Sequence, residues 1–183
     1  MSKKILLIGV LAITAIAQIL IPLSVISKWE NVLKNGVQYK FKTAPVDPYD
    51  AFRGRYVALR FEQDKIKVND EKKYYRKQNI FVTLDTDKDG YVKLSGADIV
   101  PPAGKDYLKA QVNWTNKKEL HLDYALNRYY MNEHDAPKAE KAYWKNSRRE
   151  NKNAYVTVRV LNGCGVIEKL YIDGKPVEEY IKK

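Results

Sequence analysis

The densest set of potential ligands in the sequence is Asp85-Thr86-Asp87-Lys88-Asp89-Gly90. Asp at the first, third and fifth positions and Gly at the sixth reproduce the first half of an EF-hand loop, whose oxygens would hold Ca²⁺. Such a loop also needs a bidentate Glu at its twelfth position, where this chain has Gly96. Lys88 puts a positive charge inside the cage, and the flanks alternate like strands rather than helices. A hairpin turn, with Asp and Gly supplying local hydrogen bonds and a positive φ, is therefore the expectation. His121 and His134 lie thirteen residues apart with no Cys pair to complete a zinc set. Glu133, His134 and Asp135 are contiguous, and contiguous ligands seldom converge on one ion. Loop solvation is the reading for His134, and neither a metal nor a cofactor is assigned. The sequence carries no nucleophile elbow, zinc-binding helix signature, phosphate-binding loop or dinucleotide-binding glycine pattern.

A second charged constellation comes from Asp47, Asp50, Arg53 and Arg55, within Asp47-Pro48-Tyr49-Asp50-Ala51-Phe52-Arg53-Gly54-Arg55. These four side chains are close enough in sequence for an ionic network that stiffens a turn or receives a partner. A surface salt-bridge cluster of little energetic weight is an equally good account of the arginines. Pro45 and Pro48 fix φ and restrict the residues before them, which makes the approach extended and stiff. Gly54 gives the chain conformational freedom as it enters a strand running from Arg55 to Phe61. Along that strand Val57, Leu59 and Phe61 share one face, the expected core face, and Tyr56, Ala58 and Arg60 share the other.

The elements that must hold these groups are mostly strands. Val37 to Lys42, Ile80 to Leu84, Tyr91 to Leu94, Tyr107 to Val112, Leu120 to Tyr124, Tyr155 to Val160 and Val166 to Ile172 alternate apolar and polar residues or are short apolar runs. Asp173-Gly174 predicts a two-residue turn into Pro176-Val177. One short helix is predicted from Ala136 to Trp144, with Pro137 early and Asp135 placed to cap it. The fold class is mainly β, an antiparallel sandwich or a small, partly open barrel. Cys164 is the sole cysteine, so no intrachain disulfide forms, and it is read as a small buried residue.

Ahead of this domain, Ile5 to Ile26 is apolar almost throughout. At 1.5 Å per residue a helix of that length covers roughly 33 Å, enough for a hydrocarbon layer of about 30 Å. Lys3 and Lys4 precede it, which keeps the N-terminus in the cytoplasm and sends the rest across, and Lys28 weakens that bias without reversing it. Ala15-Ile16-Ala17 has the form of a signal-peptide cleavage site. Cleavage there would leave the apolar run from Ile19 to Ile26 as an exposed tail, so an uncleaved anchor is preferred. The organisation expected is a cytoplasmic end (1–4), an anchor (5–26), a juxtamembrane segment (27–36) and an extracytoplasmic β-rich domain (37–183). Trp29 suits the headgroup level, and the stretch from Trp29 to Leu33 is read as prolonging the helix until Asn35-Gly36.

The formal net charge is +11. Beyond a membrane the anions at hand are lipid headgroups and envelope polymers, so nucleic acid is not expected as a partner. The basic residues are scattered, with pairs at Lys72-Lys73, Lys117-Lys118, Arg148-Arg149 and Lys182-Lys183. Solvated lysines that keep the domain soluble are the simpler account, and a surface facing anionic lipid or polymer is the alternative.

The run from Asp47 to Phe61 resembles the signature of the GDYXXLXY family of membrane-anchored bacterial proteins. Gly54, Tyr56 and Leu59 match the Gly-Asp-Tyr-x-x-Leu-x-Tyr run, while Arg55 stands in place of the Asp and Phe61 in place of the final Tyr. A second block, Leu122-Asp123-Tyr124 through Arg128-Tyr129-Tyr130 to Glu133 and Glu140, is similar to the family's downstream part. The resemblance implies an accessory subunit rather than a catalyst, in the inner membrane beside a multi-spanning membrane protein. Tyr56, Arg60, Tyr129 and Tyr130 are the exposed aromatic and basic residues expected to make the contact.

A competing enzymatic reading rests on a weaker likeness to type I signal peptidases in Arg53-Gly54-Arg55-Tyr56-Val57 and Asp173-Gly174-Lys175-Pro176-Val177. Those enzymes need a Ser nucleophile just after the anchor and a Lys base. Ser24 and Ser27 are roughly placed, but the usual Ser-Met-x-Pro context is missing.

Overall fold

A computed structural model describes residues 3–44, 56–68, 74–116, 118–147 and 153–182. In chain order the elements are α1 (Lys3–Asn35), β1 (Val37–Ala44), β2 (Tyr56–Ala58), β3 (Arg60–Phe61), β4 (Lys65–Lys67), β5 (Asn79–Thr86), β6 (Val92–Asp98), β7 (Tyr107–Asn116), β8 (Glu119–Asp123), β9 (Arg128–Tyr130), α2 (Ala136–Asn146), β10 (Ala154–Leu161), β11 (Cys164–Ile172), β12 (Lys175–Pro176) and α3 (Val177–Tyr180).

Helix α1 is long and apolar enough to cross a membrane, and none of its apolar stretch is buried against the domain. Two hydroxyls along it turn back onto the helix backbone, Thr14 to the Val10 carbonyl and Ser24 to the Ile21 carbonyl. The helix passes Pro22 and ends at Asn35, as the Asn35-Gly36 pair predicts. Gly36 then donates to the Val32 carbonyl at 2.9 Å. A Cβ at Gly36 would lie 2.4 Å from the Val32 oxygen and 3.0 Å from two backbone atoms of Val160, so only glycine fits this joint. Strand β1 starts at the next residue.

The strands form two five-stranded sheets, ordered β12-β11-β10-β1-β3 and β4-β8-β7-β5-β6, plus the two-stranded ribbon β2-β9. All of these pairings are antiparallel. Isolated bridges from Lys40 to Tyr91 and from Leu108 to Gly163 join the two large sheets. The wall they make is nearly closed and barrel-like around one core. Alternation explains the filling: Phe41, Val156, Val158 and Leu170 from one sheet meet Ile80, Val82, Leu108 and Leu120 from the other. An aromatic trio, Phe41, Phe61 and Tyr124, packs edge to face with centroids 5.4 to 6.3 Å apart.

Several local expectations change. The single strand expected from Arg55 to Phe61 is, in its described part, two short strands in different sheets. Leu59 donates its N–H to the Asn127 carbonyl at 2.9 Å, and there the chain leaves β9 to join β1. Strands β4 and β9 have no counterpart among the elements that the sequence pattern predicts. Asp135 precedes α2 but does not cap it with its side chain, because its φ and ψ of −94° and −25° are already helical. After Asp173-Gly174, β12 lasts two residues and the chain turns into α3. Both Asn162-Gly163 and Asp173-Gly174 take the paired left-handed conformations of a tight hairpin turn.

Candidate functional site

Asp47, Asp50, Arg53, Gly54 and Arg55 lie outside the described residues, and so does the ionic network expected of them. Lys72, Lys73, Lys117, Arg148, Arg149 and Lys183 lie outside as well. The described half of the motif divides as its alternation requires. Val57, Leu59 and Phe61 are buried, Tyr56 and Ala58 half-buried, and Arg60 exposed. Arg60 pairs with Asp64 at 3.2 Å, an exposed ion pair of little weight.

Pairing of β2 with β9 sets Tyr56 opposite Tyr130, rings 5.7 Å apart. The Arg128 guanidinium lies 5.0 Å from the Tyr56 centroid, within cation–π range. The Tyr130 hydroxyl, and after it Tyr56, hold the Arg128 pKa above its ordinary value. Tyr130 is 65% exposed. Tyr129, expected beside it as a contact residue, is instead buried. Successive residues of a strand point to opposite faces, and Tyr129 points inward, where its hydroxyl donates to the Glu178 carboxylate at 2.5 Å. Burial first, then that carboxylate, raises its pKa. Glu133, the last member of the expected set, sits exposed in the turn that leads from β9 into α2.

The ribbon borders a groove of about 540 Å³ whose wall includes Trp29, Leu126, Arg128, Tyr130, Ile167 and Glu168. A second groove, of about 350 Å³, is also walled by Trp29, with Leu108, Asp123, Tyr124 and Cys164. Cys164 is thus half-buried at a groove rather than in the core, because it opens β11 directly after the Asn162-Gly163 turn. The end of α1 is pinned close by. Arg159 donates to the Gly36 carbonyl at 3.2 Å and to Glu168 at 3.1 Å, and Gln38 also donates to Glu168. Burial acts to raise the Glu168 pKa, but the bonds from Gln38 and Arg159 prevail and hold it below the usual carboxylate value.

The residues with ligand chemistry behave as structural groups. Asp85 and Thr86 close β5, and Asp87 to Gly90 form the hairpin turn into β6: one Asp87 carboxylate oxygen accepts the N–H groups of Asp89 at 3.0 Å and Tyr91 at 2.8 Å, and Gly90 has φ +79°. His121 stacks on Trp114 at 3.7 Å. His134 lies in the turn before α2, its N–H bonded to the Asn132 side chain. Among the described residues no group of three His, Cys, Asp or Glu could hold a metal ion. Ser24 commits its hydroxyl to the Ile21 carbonyl, and Ser27 is exposed on the same helix.

A separate surface carries stacked tyrosines. Tyr155 and Tyr171 lie parallel at 4.9 Å, Tyr91 meets Tyr155 edge to face at 5.8 Å, and Lys40 and Lys42 sit over Tyr155 and Tyr91 at 5.8 and 4.6 Å.

Sequence reasoning read Trp29 only as an interfacial anchor and missed Arg128 and the Arg159–Glu168 pair. The groove draws on residues about a hundred positions apart, and no local pattern announces it. A family model described as GDYXXLXY protein matches residues 18–170 of the chain. No curated protein and no solved structure matches it.

Proposed function

The chain belongs to the GDYXXLXY family, and from that premise we propose a non-enzymatic, single-pass membrane protein that serves as an accessory or binding subunit of a multi-spanning membrane protein. In this reading residues 5–26 anchor it in the inner membrane, residues 27–36 form the juxtamembrane segment, and the domain of residues 37–183 lies outside the cytoplasm. Lys3 and Lys4 favour that orientation.

The observation that carries the proposal is the joint between helix and domain. Helix α1 enters β1 through one residue, Gly36, packed too tightly for any side chain. A flexible tether would leave the domain free to roam, whereas this joint holds it at a fixed height on the membrane surface. At 1.5 Å per residue Trp29 stands only about 4.5 Å beyond Ile26, so both grooves walled by Trp29 lie at headgroup level. A surface held there suits the extracytoplasmic edge of a membrane-embedded partner. The Ser-Lys enzymatic alternative gains no support from Ser24, whose hydroxyl is committed to its own helix.

Co-purification with the tagged full chain from detergent-solubilised membranes tests this reading. A multi-spanning protein should be enriched with the wild type and depleted with an Arg128→Ala, Tyr130→Ala double variant. If no membrane protein is enriched, or the variant retains it undiminished, the proposal is wrong.

The Tyr91-Tyr155-Tyr171 cluster with Lys40 and Lys42 favours a second reading, binding of anionic lipid or envelope polymer. That binding would fall steeply between low and physiological salt.

A further inference from the structure

We propose that α1 docks laterally on a transmembrane helix of the partner, one that carries a hydrogen-bonding side chain at the depth of Gln18. This deepens the preceding proposal and rests on its membrane-anchored reading.

Gln18 is the most polar residue inside the apolar run, about 12 Å below Ile26 and about 20 Å above Ile5 along the helix. Thr14 and Ser24 satisfy their hydroxyls on the backbone of their own helix. The Gln18 carboxamide is exposed and makes no such bond among the described residues. Acyl chains offer it neither donor nor acceptor, and in lipid such a group finds its partner on another helix.

A second feature points the same way. At 3.6 residues per turn, Leu11, Thr14, Val25, Trp29 and Val32 all fall within roughly 40° of Gln18. Val32 is buried against the domain, and Trp29 walls both grooves. The face that carries the unpaired carboxamide therefore runs up into the groove rimmed by Arg128 and Tyr130. A helix packed along this face would meet Gln18 in the hydrocarbon and end beneath the domain beside Trp29. A second copy of the chain fits poorly, because each domain packs on this same face and two would compete for the space above one contact line. The occupant is a helix with little mass of its own at its outer end, as in the short-looped bundle of a multi-spanning protein.

A photo-crosslinking residue placed singly in the full chain, in native membranes, tests the geometry. Positions Leu11 and Val25 lie on the Gln18 face, and positions Ile16 and Leu20 on the opposite one. The expected result is an adduct with a multi-spanning protein from the first pair and none from the second. Gln18→Leu should lower the Val25 adduct by about fivefold or more, while Gln18→Asn keeps most of it. Equal adducts around the helix, adducts only with a second copy, or indifference to Gln18→Leu overturn the inference. Adducts with a multi-spanning protein from the opposite face alone overturn it but leave the proposed function standing. No protein adduct from any position, together with no co-purifying membrane protein, removes both.

Discussion

Replacing Gly36 with alanine probes how firmly α1 is set on the domain. The added Cβ would sit 2.4 Å from the Val32 carbonyl oxygen and 3.0 Å from both the amide nitrogen and the carbonyl oxygen of Val160. All three are backbone atoms, and none can swing aside like the tip of a side chain. Relief requires the backbone at position 36 to turn away from the last helical turn and the end of the helix to lift from β10. Lifting gives up the Gly36 bond to Val32 and the Arg159 bond to Gly36, each worth about 1 kcal/mol. It also exposes the buried Val32 side chain, at a cost of about 1.5–2 kcal/mol. The chain adopts the smaller of strain and undocking, so the loss is at most about 3.5–4 kcal/mol. For a domain of this size that lowers Tm by up to about 7–16 °C. Gly174 supplies the comparison, since it has φ +74° with nothing within 4 Å of an added methyl. Gly174→Ala thus bears only the left-handed penalty, roughly 1–2 kcal/mol. Both variants are melted in detergent micelles by circular dichroism, with Trp29 emission followed in a Trp114→Phe, Trp144→Phe background. Gly36→Ala should melt well below Gly174→Ala, with Trp29 emission shifted before the strands are lost. A Gly36→Ala protein that melts with the wild type and leaves Trp29 emission unmoved refutes the docked joint.

Three further outcomes follow from bonds and burial already described. Asp87→Ala removes the acceptor for two turn amides and should lower stability by about 1–2 kcal/mol in urea melts, and added Ca²⁺ should leave the wild-type midpoint unmoved; a Ca²⁺-dependent rise of the wild-type midpoint that Asp87→Ala abolishes would reinstate the ion-binding reading. Burial pushes the Tyr143 hydroxyl up to about 12 and raises Tyr39, Tyr124 and Tyr129 as well. Groups raised in the folded state stabilise it fully below their unfolded value of about 10 and lose that contribution as pH climbs through the folded one; urea midpoints should therefore fall above pH 10, less so in Tyr143→Phe, and a flat profile to pH 12 would contradict this. Glu168 is lowered, so its contribution is present above its ordinary value of 4.5 and is lost as pH falls through the lower folded one. Glu168→Gln should remove that part of the acid transition, and an unchanged acid limb would show that the Arg159–Gln38 clamp does not hold in solution.

Strands with one buried face were legible because their side chains alternate between two solvents. Tyr107 to Val112 shows this throughout, whereas Val37 stays exposed at the start of its strand and Thr157 is buried within Tyr155 to Val160. Lys65-Ile66-Lys67 was not legible, since a single apolar residue between two lysines has no period. In Arg128-Tyr129-Tyr130 the strand is too short for its own pattern to say which tyrosine faces in, and the pairing with β2, which sets Tyr129 opposite the buried Val57, decides it. The break at Leu59 is invisible for another reason. Val57, Leu59 and Phe61 keep their period of two through the crossing, because all three stay buried while the backbone changes partners. Periodicity reports burial, and it does not report which strand accepts the hydrogen bonds. The groove beside Trp29 depends on such long-range pairing at every wall, and so no segment of the sequence contains it.

That crossing also bears on what the family signature does. Within Tyr56 to Phe61 the chain leaves the β2-β9 ribbon, donates the Leu59 amide to Asn127, and enters the large sheet beside β1. Phe61 then completes the aromatic trio with Phe41 and Tyr124, and the Tyr124 hydroxyl bonds the Gln63 carbonyl just downstream. An apolar residue at each inward position is the condition for a corner that joins two sheets through one core, so Val57, Leu59 and Phe61 are committed to the fold. Chemical freedom remains only on the outward side. There Tyr56 shares its ring with Arg128 and Tyr130, whereas Arg60 is already paired with Asp64. Among its described residues the signature therefore marks this fold's corner, and Tyr56 turns outward onto a ribbon whose other strand reaches the groove at Trp29.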